Sequence, residues 1–329
     1  MAKVWARIRE TIERDGAAAL VSVIGSAGSV PRETGARIVL QPDGGFYGTI
    51  GGGRLEYEAI AAARAALSAG RGKAEFRDWP LGPNLGQCCG GMVTTLTETF
   101  DNSDLAAVRR LERAETAGTF ATTGSVGRDG RIVRVVAEAA LAGGPAAGAA
   151  ALVKTLFHEQ FGEVTTPVLL FGAGHVGRAL VLALAPLPFA ARWIDGRPDQ
   201  FPQYVPQNVV TVCTDDATRE LAEASRDALV VIMTHSHPLD FDITAAALQQ
   251  GTFDFVGLIG SETKRARFVS FAQQLGLSSR EIDRLTCPIG IPQIKGKEPA
   301  VIAAGIAVQL LIVSQGASVP QVSPAIQPV

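Results

Sequence analysis

The chain has 329 residues, 47% of them hydrophobic and 19% charged, with a mean hydropathy of +0.20; it is long enough for two domains and apolar enough to core both. A net charge of −2 gives no electrostatic footing for nucleic acid or anionic lipid. No run approaches the roughly 20 apolar residues of a membrane span, and the charged opening MAKVWARIRETIERDG lacks the apolar core of a secretory signal. A cytoplasmic protein is therefore expected, with neither nucleic acid nor membrane as partner.

Residues 4–15 read as an amphipathic helix ended by Gly16, and 18–24 as a strand followed by the loop GSAGSVPRETGAR. Segments 38–40 and 46–49 flank Gln41-Pro42-Asp43-Gly44-Gly45, a hairpin signal. Gly51-Gly52-Gly53 opens an Ala-rich helix that runs to Gly70, and a strand near 73–79 leads into the loop that carries Cys88 and Cys89. Residues 92–99 have β character, 105–117 are helical, and 119–136 form a hairpin around Arg128-Asp129-Gly130. Residues 1–136 are thus expected to be an α/β domain of mixed strand pairing. The Ala/Gly-rich stretch 137–163 marks the boundary as a linker.

From 164 to 313 the pattern becomes strand and helix in alternation, with strands expected at 168–171, 191–194, 209–213, 229–233 and 255–259. A last helix spans 298–313, with Pro299 in its first turn. The tail 314–329, SQGASVPQVSPAIQPV, is expected to be disordered.

The second part opens on Val168-Leu169-Leu170-Phe171, then Gly172-Ala173-Gly174-His175-Val176-Gly177, a helical pattern, a second strand and Asp195. Strand, glycine turn, helix, strand and acid in that order form the dinucleotide-binding fingerprint. Gly172 permits the tight turn, Gly174 lets backbone N–H groups approach a phosphate, and Gly177 lets helix pack on strand. Asp195 is placed to accept from a ribose. The fold class is therefore α/β, with a C-terminal Rossmann-like doubly wound parallel sheet behind the N-terminal α/β domain.

Four further stretches could carry chemistry. Cys88 and Cys89 lie between Pro83 and Gly91 in a loop rich in glycine and proline. A thiolate presented there could be a nucleophile, a sulfur carrier or a soft-metal ligand. Gly52, Gly53 and Arg54 could cradle an anion at a helix start. Thr234-His235-Ser236-His237-Pro238-Leu239-Asp240 lies at the carboxyl edge of the sheet, where Asp240 suits a helix cap and His235 and His237 resemble half a metal site. Ser261 could cap the next helix, with Lys264 and Arg265 near a phosphate. Of the other two cysteines, Cys213 at a strand end is expected in the core, and Cys287 is as suited to burial as to reaction.

Together these segments resemble the xanthine dehydrogenase accessory protein family of the XdhC/CoxI type. The resemblance rests on GSVPRETGAR, GTIGGGRLEYEAI, LGPNLGQCCGG, VLLFGAGHVGRAL, WIDGRPDQFP, MTHSHPLDFDI, GLIGSETKRARF and CPIGIP, and it runs through nearly the whole chain. It implies a chaperone that binds the molybdenum cofactor (molybdopterin or its dinucleotide form), supports its sulfuration and delivers it to xanthine dehydrogenase or a related molybdenum hydroxylase. A cysteine desulfurase is then the expected sulfur donor and a homodimer the expected assembly. The family's cysteine before Gly-Gly falls on Cys89, with Cys88 adjacent, and this makes both candidate metal ligands. The competing readings of the fingerprint are an NAD(P)-dependent oxidoreductase and a redox-sensing dinucleotide-binding module.

Overall fold

The computed structural model describes residues 3–70, 72–82, 90–137, 156–162 and 164–316. The chain divides into two compact units, Met1–Val164 and Thr165–Val329. The cysteine pair, residues 138–155 of the expected linker and the tail from 317 lie outside the described residues.

The N-terminal unit begins with α1 (Val4–Asp15), which buries Trp5, Ile8 and Ile12 and stops where Gly16 takes a φ of +83°. Then come β1 (Ala17–Ala27), β2 (Arg37–Leu40), β3 (Phe46–Thr49), α2 (Gly53–Ser68), β4 (Glu75–Pro80), β5 (Met92–Asp101) and α3 (Leu105–Ala117). The first five strands form an antiparallel sheet in the order β3-β2-β1-β5-β4. Along β1 the side chains alternate between faces: Ala19, Val21 and Val23 pack with Leu55, Ala59 and Ala63 of α2, while Ala18 and Leu20 pack with Trp5, Ile8 and Leu111 of α1 and α3.

β6 (Phe120–Val126), β7 (Ile132–Val136) and β8 (Leu156–Phe161) make a second antiparallel sheet, ordered β7-β6-β8. β8 departs from the reading of 137–163 as linker. Phe157, Glu159 and Phe161 point inward and alternate with exposed Leu156, His158 and Gln160. That period-2 pattern follows directly on Ala/Gly-rich sequence, which masks it. Glu159 suits a buried strand because Arg134 and Arg37 both reach it, at 2.7 and 3.3 Å.

The C-terminal unit comprises β9 (Thr166–Phe171), α4 (His175–Leu184), β10 (Phe189–Asp195), β11 (Val209–Cys213), α5 (Ala217–Ala222), β12 (Leu229–Ile232), α6 (His237–Gln250), β13 (Phe255–Leu258), α7 (Glu262–Gln274), α8 (Ser279–Ile282), β14 (Leu285–Thr286) and α9 (Pro299–Ser314). Its six strands are parallel, in the order β11-β10-β9-β12-β13-β14. This is the Rossmann-like doubly wound sheet. All four residues of β12 and of β13 are buried, as expected of strands covered on both faces. One face packs against α5, α6 and α7 through Ile243, Leu248 and Phe268; the other packs against α4 and α9 through Leu180, Leu184 and Ile306. The strand order reverses between β9 and β12, so a crevice opens at their carboxyl ends. Among the described residues, no helix is long and apolar enough to cross a membrane.

Candidate functional site

The crevice is built around the turn from β9 to α4. Gly172 has a φ of +115°, and a Cβ there would lie 2.2 Å from the Met233 carbonyl oxygen; only glycine fits. Its own carbonyl accepts from the indole Nε1 of buried Trp193 at 3.0 Å. A Cβ on Gly177 would lie 2.2 Å from that same carbonyl oxygen, so α4 sits as close to the turn as backbone allows. Gly174 differs from both: its φ is −74° and nothing lies within 4 Å of its Cβ position. It caps α4 without a side-chain hydrogen bond, and the first turn of the helix holds no acid. No side chain caps the first N–H groups of α4, and with the positive dipole end of the helix this is an arrangement suited to an anion. By contrast Ser236 caps α6 and Ser261 caps α7.

Asp195, only 7% exposed, closes the other side of the turn. Its Oδ2 accepts from the Ala173 N–H at 2.7 Å and from Arg197 Nη2 at 2.9 Å. Oδ1 accepts from Arg197 N at 3.0 Å and Nε at 2.9 Å. Burial alone would raise the Asp195 pKa, but these hydrogen bonds outweigh it and hold the carboxyl below its ordinary value. Four donors fill the four or so acceptor positions of a carboxylate, so a ribose would have to displace Arg197. Sequence reasoning did not single out Arg197 or Trp193. Beside them lies a pocket of about 150 Å³, lined by Gly172, Asp195, Arg197, Thr214, Thr234 and His235 among others.

At the end of β12, Asp240 is not the helix cap expected of it. Ser236 caps α6, accepting from Leu239 N, and Asp240 lies one turn further in with no exposure. Its Oδ1 accepts from Thr234 N and Oγ1 at 2.8 and 2.7 Å, while Oδ2 pairs with Lys264 Nζ at 2.5 Å. Lys264 is correspondingly a buried interhelix partner and does not face a phosphate. His235 lines the pocket and His237 begins α6. Among the described residues no group of three His, Cys, Asp or Glu side chains could hold a metal ion.

In the N-terminal unit, Gly51, Gly52 and Gly53 all have positive φ, of +120°, +72° and +66°. The cradle they form is filled by the chain itself. Glu56 accepts from Ile50 N at 2.9 Å, Gly52 N at 3.1 Å and Thr49 Oγ1 at 2.5 Å. Burial works against the charged form, yet these bonds keep the Glu56 pKa below its usual value. Arg54 pairs with Glu58 at 2.8 Å. The base of the cysteine loop is also defined. Leu81 N donates to Gly91 O at 2.7 Å, and a Cβ on Gly91 would lie 2.3 Å from the Ser29 carbonyl oxygen. The GSAGSVPRETGAR loop and the two glycines after Cys89 are thereby in contact.

Cys213 is exposed, not core, because β11 is the edge strand of its sheet and most of its side chains face outward. Cys287 is buried, and burial pushes its thiol pKa up to about 11.

Comparison with known proteins follows the same division of the chain. Residues 168–310 match the XdhC Rossmann domain, and residues 11–77 match the XdhC and CoxI family. The fold is similar to that of a protein from Bacillus halodurans described as a xanthine dehydrogenase, with a TM-score of 0.73 and 21% identity over 95% of this chain and 96% of that one. A Rossmann-fold NAD(P)-binding family protein from Shigella flexneri gives a TM-score of only 0.31 and 14% identity over 48% of this chain and 90% of that one. No curated protein sequence matches the chain.

Proposed function

The chain belongs to the XdhC and CoxI family, proteins of xanthine dehydrogenase maturation, and from that premise we propose that it is a molybdenum cofactor chaperone. In this reading it binds the cofactor, protects it, supports its sulfuration and delivers it to xanthine dehydrogenase or a related molybdenum hydroxylase. The observation that carries the reading is the open N-terminus of α4 at Gly174, uncapped by any side chain. Molybdopterin ends in a phosphate, or in a pyrophosphate when it is a dinucleotide, and either is the anion such a helix end accepts. Gly172 and Gly177 shape that end, and Asp195 holds it through Ala173. The Gly52-Gly53-Arg54 turn already has Glu56 as its anion, which favours the Gly172 turn as the proposed phosphate site. Molybdenum is thiophilic, and the thiolates of Cys89 and Cys88 are the groups of this chain proposed to ligate it. A cysteine desulfurase is the proposed sulfur donor and a homodimer the proposed assembly. An NAD-dependent reading is weaker because every acceptor position of Asp195 is engaged.

The test is incubation of the purified protein with molybdenum cofactor and, separately, with NAD, followed by gel filtration and measurement of molybdenum, pterin and nucleotide. Cofactor should co-elute and NAD should not. A Cys88→Ala, Cys89→Ala variant with unchanged circular dichroism should lose molybdenum; the same stoichiometry as wild type would defeat the thiolate role. Retention of NAD alone would favour the oxidoreductase.

A further inference from the structure

In the N-terminal unit β7 is an edge strand, paired with β6 on one side. The pattern of that pairing decides which backbone groups are left over. Gly127 N donates to Arg131 O at 2.7 Å and Ala137 N to Ala121 O at 2.9 Å, so the odd-numbered residues from 131 to 137 turn their N–H and C=O groups to β6. Those of Ile132, Arg134 and Val136 point the other way, and among the described residues no strand meets them. The Arg134 carbonyl is held instead by Nη2 of Arg110 on α3, at 3.3 Å. Open edges are ordinarily guarded by outward charges, proline or a bulge. Here the outward side chains are Val133 and Val135, 52% and 65% exposed, while Arg134 between them points inward and is 5% exposed. An unguarded edge is what strand addition by another chain requires.

Between this edge and α3 lies a cavity of about 170 Å³ whose walls include Phe100, Val108 and Leu111. Its charged residues pair off, Glu98 with Arg134 and Asp104 with Arg131. Arg110 is left, exposed and with no carboxylate partner among the described residues, and Arg113, also exposed, follows on the next turn of α3. That charge selects the occupant. A second copy of β7 would bring its own arginine to the shared edge, like charge against like, whereas an acidic strand brings the complement. We propose that the β7 edge docks an extended, acidic segment of a partner protein as a further antiparallel strand. The residue opposite Arg134 donates its N–H to the Arg134 carbonyl and sends an apolar side chain into the cavity. Its two neighbours lie beside Val133 and Val135 on the outer face. The next residue on each side faces inward again, and there a carboxylate meets Arg110, freed from the carbonyl. The site is independent of the glycine turn and of any cofactor bound there.

The probe is the end-blocked, fluorophore-labelled peptide Thr-Asp-Val-Leu-Val-Asp-Thr, titrated with the full-length protein and read by fluorescence anisotropy. Two comparison peptides carry lysine in place of both aspartates, or an N-methyl group on the leucine, which removes the N–H meant for the Arg134 carbonyl and leaves the charge alone. Both should bind at least about tenfold more weakly than the probe. Arg110→Glu, at an exposed position, should reverse the preference between the acidic and the basic peptide. Val136→Pro removes an edge-facing donor without removing a bond to β6, and should weaken the probe about tenfold. Absence of probe binding, equal affinity for the three peptides, or a preference unmoved by Arg110→Glu would each overturn the proposal. Sedimentation showing wild-type dimers that Val136→Pro turns into folded monomers would also overturn it, by giving the edge to a second copy.

Discussion

Oδ2 of Asp195 accepts the backbone N–H of Ala173 at 2.7 Å, tying the acid that ends β10 to the glycine turn that begins α4. Asp195→Ala should leave that N–H and the Arg197 guanidinium unpaired, at a cost of about 1–3 kcal/mol in chemical denaturation. The pH dependence follows from the direction of the shift. The folded pKa lies below the unfolded value, so the stabilisation is complete above about pH 5 and is lost as the pH falls below about 4. The stability gap between wild type and Asp195→Ala should therefore be flat near neutrality and close in acid. A gap that widened in acid would refute this reading of Asp195.

The three glycines of the turn have separable roles. Gly172→Ala combines a left-handed φ with a clash against Met233 O, and Gly177→Ala puts a methyl group on Gly172 O; each should cost more than about 2 kcal/mol. Gly174→Ala meets no atom and keeps an ordinary φ, so its stability should stay within about 0.5 kcal/mol of wild type. Under the proposed function, molybdenum cofactor affinity should nonetheless fall, since the new methyl group stands at the helix end proposed to hold the phosphate. Measuring melting temperature and cofactor retention side by side separates the two effects.

Much of this arrangement was legible in the sequence because its causes are local. β12 and β13 are apolar runs bounded by polar residues, and the glycine spacing fixes the turn whatever surrounds it. What escaped depends on distant packing. β14 has two residues, too few to show a period. Arg197 follows Asp195 by two positions but reads as loop, and the Trp193 indole proton serves a carbonyl 21 residues away. Glu56 shows no sequence sign that it fills the Gly51 turn, because an acid in the first turn of a helix is ordinary. Lys264 sits in a basic run that suggests solvent or phosphate, and its burial appears only once α6 and α7 are placed side by side.

The two described cysteines should differ sharply in reactivity. Cys213 is exposed, whereas Cys287 is buried with its pKa raised to about 11. At pH 8, iodoacetamide should label Cys213 in the native protein and reach Cys287 only after unfolding, because the thiolate is the reacting species. Mass spectrometry of digested native and denatured samples reads this directly, and equal native labelling of the two would show that Cys287 is not shielded as described.

The Asp240–Lys264 pair gives the sharpest test of the corrected sheet edge. Asp240 has no exposure, and Lys264 is 9% exposed. Removing the acid alone, as Asp240→Leu, strands a buried ammonium and the Thr234 N–H, while the Thr234 hydroxyl keeps the Ser236 carbonyl at 3.0 Å, and should cost about 3–5 kcal/mol. Replacing both charges, as Asp240→Leu with Lys264→Met, removes the stranded charge and should recover part of the loss. The double-mutant cycle should then show a coupling above about 1 kcal/mol. Additive single losses would mean that the two side chains do not pair in solution and that Asp240 acts only through Thr234.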